Sequence, residues 1–217
     1  MIKTEPHRRP GLIGMTKGTK VVLFFLALAG LSWGVYKCKY AYSYYTDLKD
    51  RPWAYSEDEH AKLLVGTWQG TYQDPDNVAK TIRLEILVPM TDDERAAKAG
   101  KRSRRRSGLG QRKDNQHFDG LATVTSKLGK EEYEIYGRVG KDDWHQLKTV
   151  HFRVVDEIQQ LHKNFGVGQA ETGHWQDDQL TLTVGFVYTT ATGSHSSDSA
   201  DPRYDKKVTI HFSRKKS

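Results

Sequence analysis

The chain predicts a mainly β protein: about eight antiparallel strands closing into a barrel, with one or two short helices, behind a single transmembrane α-helix. Three observations carry that expectation. Residues 21–36, VVLFFLALAGLSWGVY, hold no charged side chain. Beyond Gly66 apolar residues recur at period two, the spacing of a strand with one buried face. The strand-length runs also follow one another at hairpin spacing, which favours an up-and-down barrel over two stacked sheets.

The net charge of +7 is local to two segments. Residues 1–20 carry Lys3, Arg8, Arg9, Lys17 and Lys20 against Glu5, and residues 91–116 carry nine basic against four acidic side chains. The remainder holds 20 basic and 22 acidic residues, so the body of the protein is near neutral. A nucleic-acid-binding fold is basic across a face, and nucleic acid is therefore not the expected partner. The single cysteine, Cys38, excludes an intramolecular disulfide and a cysteine-based metal cluster.

Taken in order, residues 1–20 read as a basic cytoplasmic tail and 21–37 as the transmembrane helix. Sixteen uncharged residues rise about 24 Å, short of a ~30 Å hydrocarbon core, and Lys20, Lys37 and the ring of Trp33, Tyr36, Tyr40 and Tyr42 make up the difference at the interfaces. Ala27 to Ala29 also resembles a signal-peptide cleavage site, but cutting there leaves only residues 21–26 as the apolar core, under the usual ~7 residues. The basic tail favours a cytoplasmic N-terminus with the C-terminal domain periplasmic or extracellular. The absence of any Asn-x-Ser/Thr acceptor leans towards the inner membrane of a bacterial envelope. Gly30 and Gly34 stand at a spacing that suits close packing with another membrane helix.

Residues 38–55, rich in tyrosine and charge and containing Pro52, read as an interfacial linker. Ser56 and Glu59 form a capping-box pattern, which predicts a short helix ending at Gly66. The barrel domain is then residues 56–217, interrupted by a disordered basic insertion at 91–116. Its strands are expected in TWQGTY, TIRLEILV, GLATVTSK, EEYEIYGRV, WHQLKTVHFRVV, GQAETGHWQ, LTLTVGFVY and KVTIHF. GLATVTSK and EEYEIYGRV flank a tight turn at Gly129. In LTLTVGFVY, Leu180, Leu182, Val184, Phe186 and Tyr188 share the inward face. A second short helix is expected from Asp156 to Asn164, with Ile158, Leu161 and Phe165 on one side.

The stretch LLVGTWQGTY, with Gly66 and Trp68 opening the first strand, resembles the start of a lipocalin-like (calycin-type) barrel. The resemblance implies that Trp68 plugs one end of the barrel beneath a basic side chain near the last strand, the position of Arg214 after VTIHF. The chain departs from that family in lacking its usual disulfide and in its long polar insertions.

No catalytic constellation, metal site or cofactor site is expected, and the chain does not read as an enzyme. Ser194, His195 and Asp198 crowd one Ser/Gly/Asp-rich loop, whereas a triad is held by separate parts of a rigid fold. His145 and His151 share strand parity with no third ligand. Gly166 and Gly168 lead into a strand and not into a helix, so they form no phosphate cradle. The acid pairs Asp142 with Asp143 and Asp177 with Asp178 sit at turns. Lys101, Arg102, Arg104, Arg105, Arg106, Arg112 and Lys113 form a run suited to an anionic surface: headgroups, acidic wall polymer or an acidic protein. The expected role is a membrane-anchored binding module for an apolar or amphipathic ligand, the alternative being a structural or assembly subunit that docks an envelope protein through helix and barrel.

Overall fold

The computed structural model describes residues 17–100, 115–155, 164–190, 195–196 and 200–215. A long helix, α1 (Lys17–Asp50), leads into eight strands that close on themselves: β1 (Gly66–Gln73), β2 (Ala79–Ile86), β3 (His117–Ser126), β4 (Gly129–Val139), β5 (Gln146–Val154), β6 (Asn164–Gln176), β7 (Gln179–Thr189) and β9 (Val208–Arg214). Each pairs antiparallel with the next, β7 pairs with β9 and β9 returns to β1; the two-residue β8 (His195–Ser196) extends the free edge of β7. The period-two pattern survives as packing. Ile82, Leu84, Ile86, Leu180, Leu182, Val184 and Phe186 all face a core that is 4% exposed or less.

All eight expected strands are present, and the turn at Gly129 closes a hairpin in which Ser126 pairs with Gly129. Tight approach between strands makes one glycine obligatory. A Cβ on Gly120 in β3 would sit 2.3 Å from the Glu85 carbonyl oxygen on β2, which is backbone and has nowhere to go. Gly120→Ala is therefore expected to destabilise the barrel by ~1–3 kcal/mol, read as a lower denaturation midpoint for the full chain in detergent.

The helical parts differ from the sequence expectation in three places. First, α1 runs 34 residues, through 38–50 of the expected linker, because neither Gly nor Pro occurs between Gly34 and Pro52. Only its first half is an apolar cylinder exposed on all sides; the helix is long and apolar enough to cross a membrane. Second, α2 (Asp92–Gly100) forms inside the expected disordered insertion and packs on α1. Its start carries a capping box, with Thr91 N–H donating to Glu94 Oε2 at 3.0 Å and Glu94 N–H to Thr91 Oγ1 at 3.3 Å. Third, no helix follows Ser56. Its hydroxyl accepts from Asp58 N–H and the Asp58 carboxylate from His60 N–H, so the capping side chains close local turns. Of the second expected helix, residues 156–163 lie outside the described residues, and Asn164 opens β6.

The two ends of the barrel are unlike. At the end next to α1, Trp53 is buried, donates its indole N–H to the Asn115 carbonyl at 3.1 Å, and stands edge-on to Phe118. Leu64, fully buried, is tied to the Trp53 carbonyl by its N–H at 2.9 Å. At the far end lie the β1–β2 and β3–β4 hairpins, the end of β5 and the start of β6.

Candidate functional site

At the α1 end, the sequence-predicted trio comes together. Trp68 is fully buried and donates its indole N–H to the Leu64 carbonyl at 2.9 Å. The Arg214 guanidinium carbon stands 4.2 Å from the Trp68 ring centroid. Its Nη1 donates to the Val65 carbonyl at 3.0 Å, its Nη2 to the Leu63 and Asp177 carbonyls, and its Nε to Asp178 Oδ1 at 3.1 Å. Gly66, at φ +129°, lies beneath the same guanidinium, where a Cβ would be 2.9 Å from Nη1. Asp178 sits in the two-residue β6–β7 turn, whose first residue, Asp177, has positive φ. Lys62 at 2.7 Å, with Arg214, holds the Asp178 carboxyl below the usual carboxylate range. That support is fully present above the ordinary carboxylate pKa and is lost as pH falls through the depressed one. These groups are committed to one another, so this end is a closed floor.

The far end is different in kind. The described ladder between β5 and β6 ends at His151 opposite Gln169. Beyond it β5 stays on β4, with Val154 opposite Tyr133, while β6 follows β7, with Asn164 opposite Thr189. Into that parting opens a cleft of about 940 Å³. Phe152, Val167 and Phe186 give it an apolar floor, and Gly166, Gly168 and Gly185 keep its walls low. Arg153, Glu171, Asp205 and Lys207 stand on its rim, where Lys207 Nζ pairs with both Glu171 oxygens at 2.7 Å.

Behind the cleft, inside the barrel, is a buried polar cluster. Asp74 closes the β1–β2 turn: its Oδ1 accepts from Asp76 N–H at 2.9 Å and Val78 N–H at 2.8 Å, while Asn77 takes positive φ. That leaves Oδ2 facing Lys80 Nζ at 3.6 Å. Lys80 Nζ also donates to the Phe165 carbonyl at 2.7 Å and to Glu131 Oε1 at 3.4 Å. Glu131 accepts from Tyr133 Oη on one oxygen and from Asn164 Nδ2 on the other. Tyr72 completes the group, its ring 6.0 Å from Phe186 on the cleft floor. Burial, reinforced by the Glu131 charge, pushes both the Tyr72 and the Tyr133 hydroxyls up, so both keep their protons at neutral pH.

The remaining sequence candidates do not assemble. His151 stacks on Tyr136 on the outer wall at 4.8 Å between centroids, and His145 lies at the closed end with Nδ1 3.0 Å from the Trp175 carbonyl. Ser194 and Asp198 lie outside the described residues, as do Lys101, Arg102, Arg104, Arg105, Arg106, Arg112 and Lys113. Among the described residues no group of three or more His, Cys, Asp or Glu side chains is placed to hold a metal ion. No family model and no curated protein matches the chain. Its chemistry is therefore read from its own residues. The buried cluster was missed in the sequence, yet its signal is there: Lys80 has the inward parity of Ile82 and Leu84, and Glu131 that of Tyr133 and Ile135.

Proposed function

We propose that this chain is a membrane-anchored binding module of the bacterial cell envelope, whose cleft between β5 and β6 takes an amphipathic ligand. The observation that carries the reading is the parting of those two strands over the apolar floor of Phe152, Val167 and Phe186, with polar groups behind it. An apolar floor with a few convergent polar groups is the usual make-up of a small-molecule site. The plug of Trp68 beneath Arg214 supports the lipocalin-like reading and leaves the far end as the ligand-facing one. The basic tail before α1 supports a cytoplasmic N-terminus, which sets the barrel and its cleft on the periplasmic side.

Native mass spectrometry of the full chain released from detergent tests this. The expected result is a co-purifying small molecule that is lost in Gly185→Leu, since Gly185 lines the cleft from the outward side of β7 and a longer side chain there obstructs its mouth. A stoichiometric protein partner with no small molecule supports instead the second reading, an assembly subunit. That reading draws on the apolar half of α1, where a Cβ added at Gly30 or Gly34 would meet nothing within 4 Å outside the helix backbone.

A further inference from the structure

We infer that the cleft recognises a positively charged, hydrogen-bond-donating head group, such as a primary ammonium, at the polar end of its ligand. The inference rests on the binding role proposed above and adds the chemistry of what is bound.

The cluster behind the cleft is unbalanced in both charge and hydrogen bonding. Lys80 supplies one positive charge against the two negative charges of Asp74 and Glu131, all three residues being 8% exposed or less. The Lys80 ammonium is already spent on the Phe165 carbonyl, Glu131 and Asp74. What is left over is acceptor capacity. Asn164 Oδ1 is buried and receives no hydrogen bond, Asp74 Oδ2 has only its 3.6 Å ion pair with Lys80, and the Tyr72 hydroxyl has no partner. A buried acceptor without a donor costs about 1–3 kcal/mol, and an uncompensated buried charge costs more. A group that brings both protons and positive charge relieves both deficits at once. A carboxylate or phosphate head adds to the surplus negative charge, and a bare alkyl end leaves every acceptor empty.

The cluster is also within reach. Gly166 lines the cleft, and a methyl group placed on it would stand 2.8 Å from Tyr133 Oη and 3.8 Å from Glu131 Oε2. Tyr133, whose hydroxyl donates to Glu131, itself lines the cleft beside Gly166. Among the described residues the rim does not reverse the preference, because Arg153 and Lys207 are matched there by Glu171 and Asp205.

Calorimetric titration of the full chain in phosphatidylcholine nanodiscs, with empty discs as the blank, tests the head group using n-hexylammonium, n-hexanol and n-hexanoate. Hexylammonium is expected to bind at least tenfold more tightly than either of the others. Asn164→Leu is expected to cut that margin below threefold, and Gly185→Leu to abolish binding. Valine methyl shifts at Val167 and Val187 locate the site without recourse to any variant. If hexanol or hexanoate binds there as tightly as hexylammonium, the head-group inference falls and the binding role stands. If no probe shifts those methyls, both fall.

Discussion

Trp68→Ala lowers the thermal midpoint of the full chain by on the order of 10 °C, the equivalent of the ~3–5 kcal/mol that emptying a buried aromatic site costs. The size of the effect follows from how many groups converge on one indole. The substitution leaves the Leu64 carbonyl without its donor, removes the face on which the Arg214 guanidinium rests, and opens a void at the closed end of the barrel. Arg214 would keep its bonds to Val65 and Asp178, so the loss comes mainly from packing. Trp68→Phe retains most of the ring but not the N–H, and roughly half of the destabilisation is expected from it. A midpoint unchanged by Trp68→Ala would show that the closed end does not depend on this plug.

Arg95→Leu releases α2 from α1. The Arg95 side chain is fully buried, its Nη1 lies 2.7 Å from Asp47 Oδ2 and 3.1 Å from Ser43 Oγ, and its guanidinium stands 5.5 Å and 5.4 Å from the ring centroids of Tyr44 and Tyr55. Asp47 is itself 2% exposed, and its other partner is Arg51 at 3.3 Å. Removing one member of a buried pair costs ~3–5 kcal/mol, because the other charge stays behind uncompensated. The measurement is amide hydrogen exchange across 92–100 and 40–50, with protection expected to fall at least tenfold. Arg95→Leu combined with Asp47→Leu should regain part of it, since the charge that then loses its partner is that of Arg51 at the end of α1. Unchanged exchange in the single variant would mean that packing alone holds α2 in place.

This lock bears on function through geometry. Tyr55, which flanks Arg95, donates its hydroxyl to the Met90 carbonyl at 2.9 Å, and Trp53 just before it is sunk into the barrel floor. α1 thus runs into the domain through a hydrogen-bonded turn in which Ala54 and Tyr55 N–H donate to the Arg51 carbonyl. α2 descends along α1 from Asp92, which accepts from the Tyr40 hydroxyl, to Ala99 and Gly100 beside Trp33 and Tyr36. The chain leaves α2 at the level of the aromatic collar, next to where the apolar segment ends.

Much of the barrel was legible from the residues alone, for a simple reason. A strand with one buried face must alternate, and eight such runs with short connections have few ways to bury their apolar sides. LTLTVGFVY reads the same in sequence and in space, as do the two-residue turns at Gly129 and at Asp177 with Asp178. The helices were harder. Ser56 and Glu59 carry the same local signal as Thr91 and Glu94, yet only the second pair opens a helix. Leu64 must reach the Trp53 carbonyl and the barrel floor, whereas α2 has Arg95 to bind it to α1. Local capping propensity is worth about 1 kcal/mol, and either tertiary demand exceeds it.

The polar cluster marks the same divide. Lys80 and Glu131 stand on the inward phase of their strands, a parity that sequence alone displays, and an inward charge in a small barrel must find a partner or a ligand. That the two face each other, that Asp74 turns its spare oxygen towards them, and that β5 leaves β6 beside them follow from strand register and bulges, which arise only when distant segments pair. Alternation, apolar length and charge count belong to the chain by itself and determined the long apolar helix and the barrel. The parting of β5 from β6, and the unanswered polar groups behind it, arise only when strands distant in the chain pair.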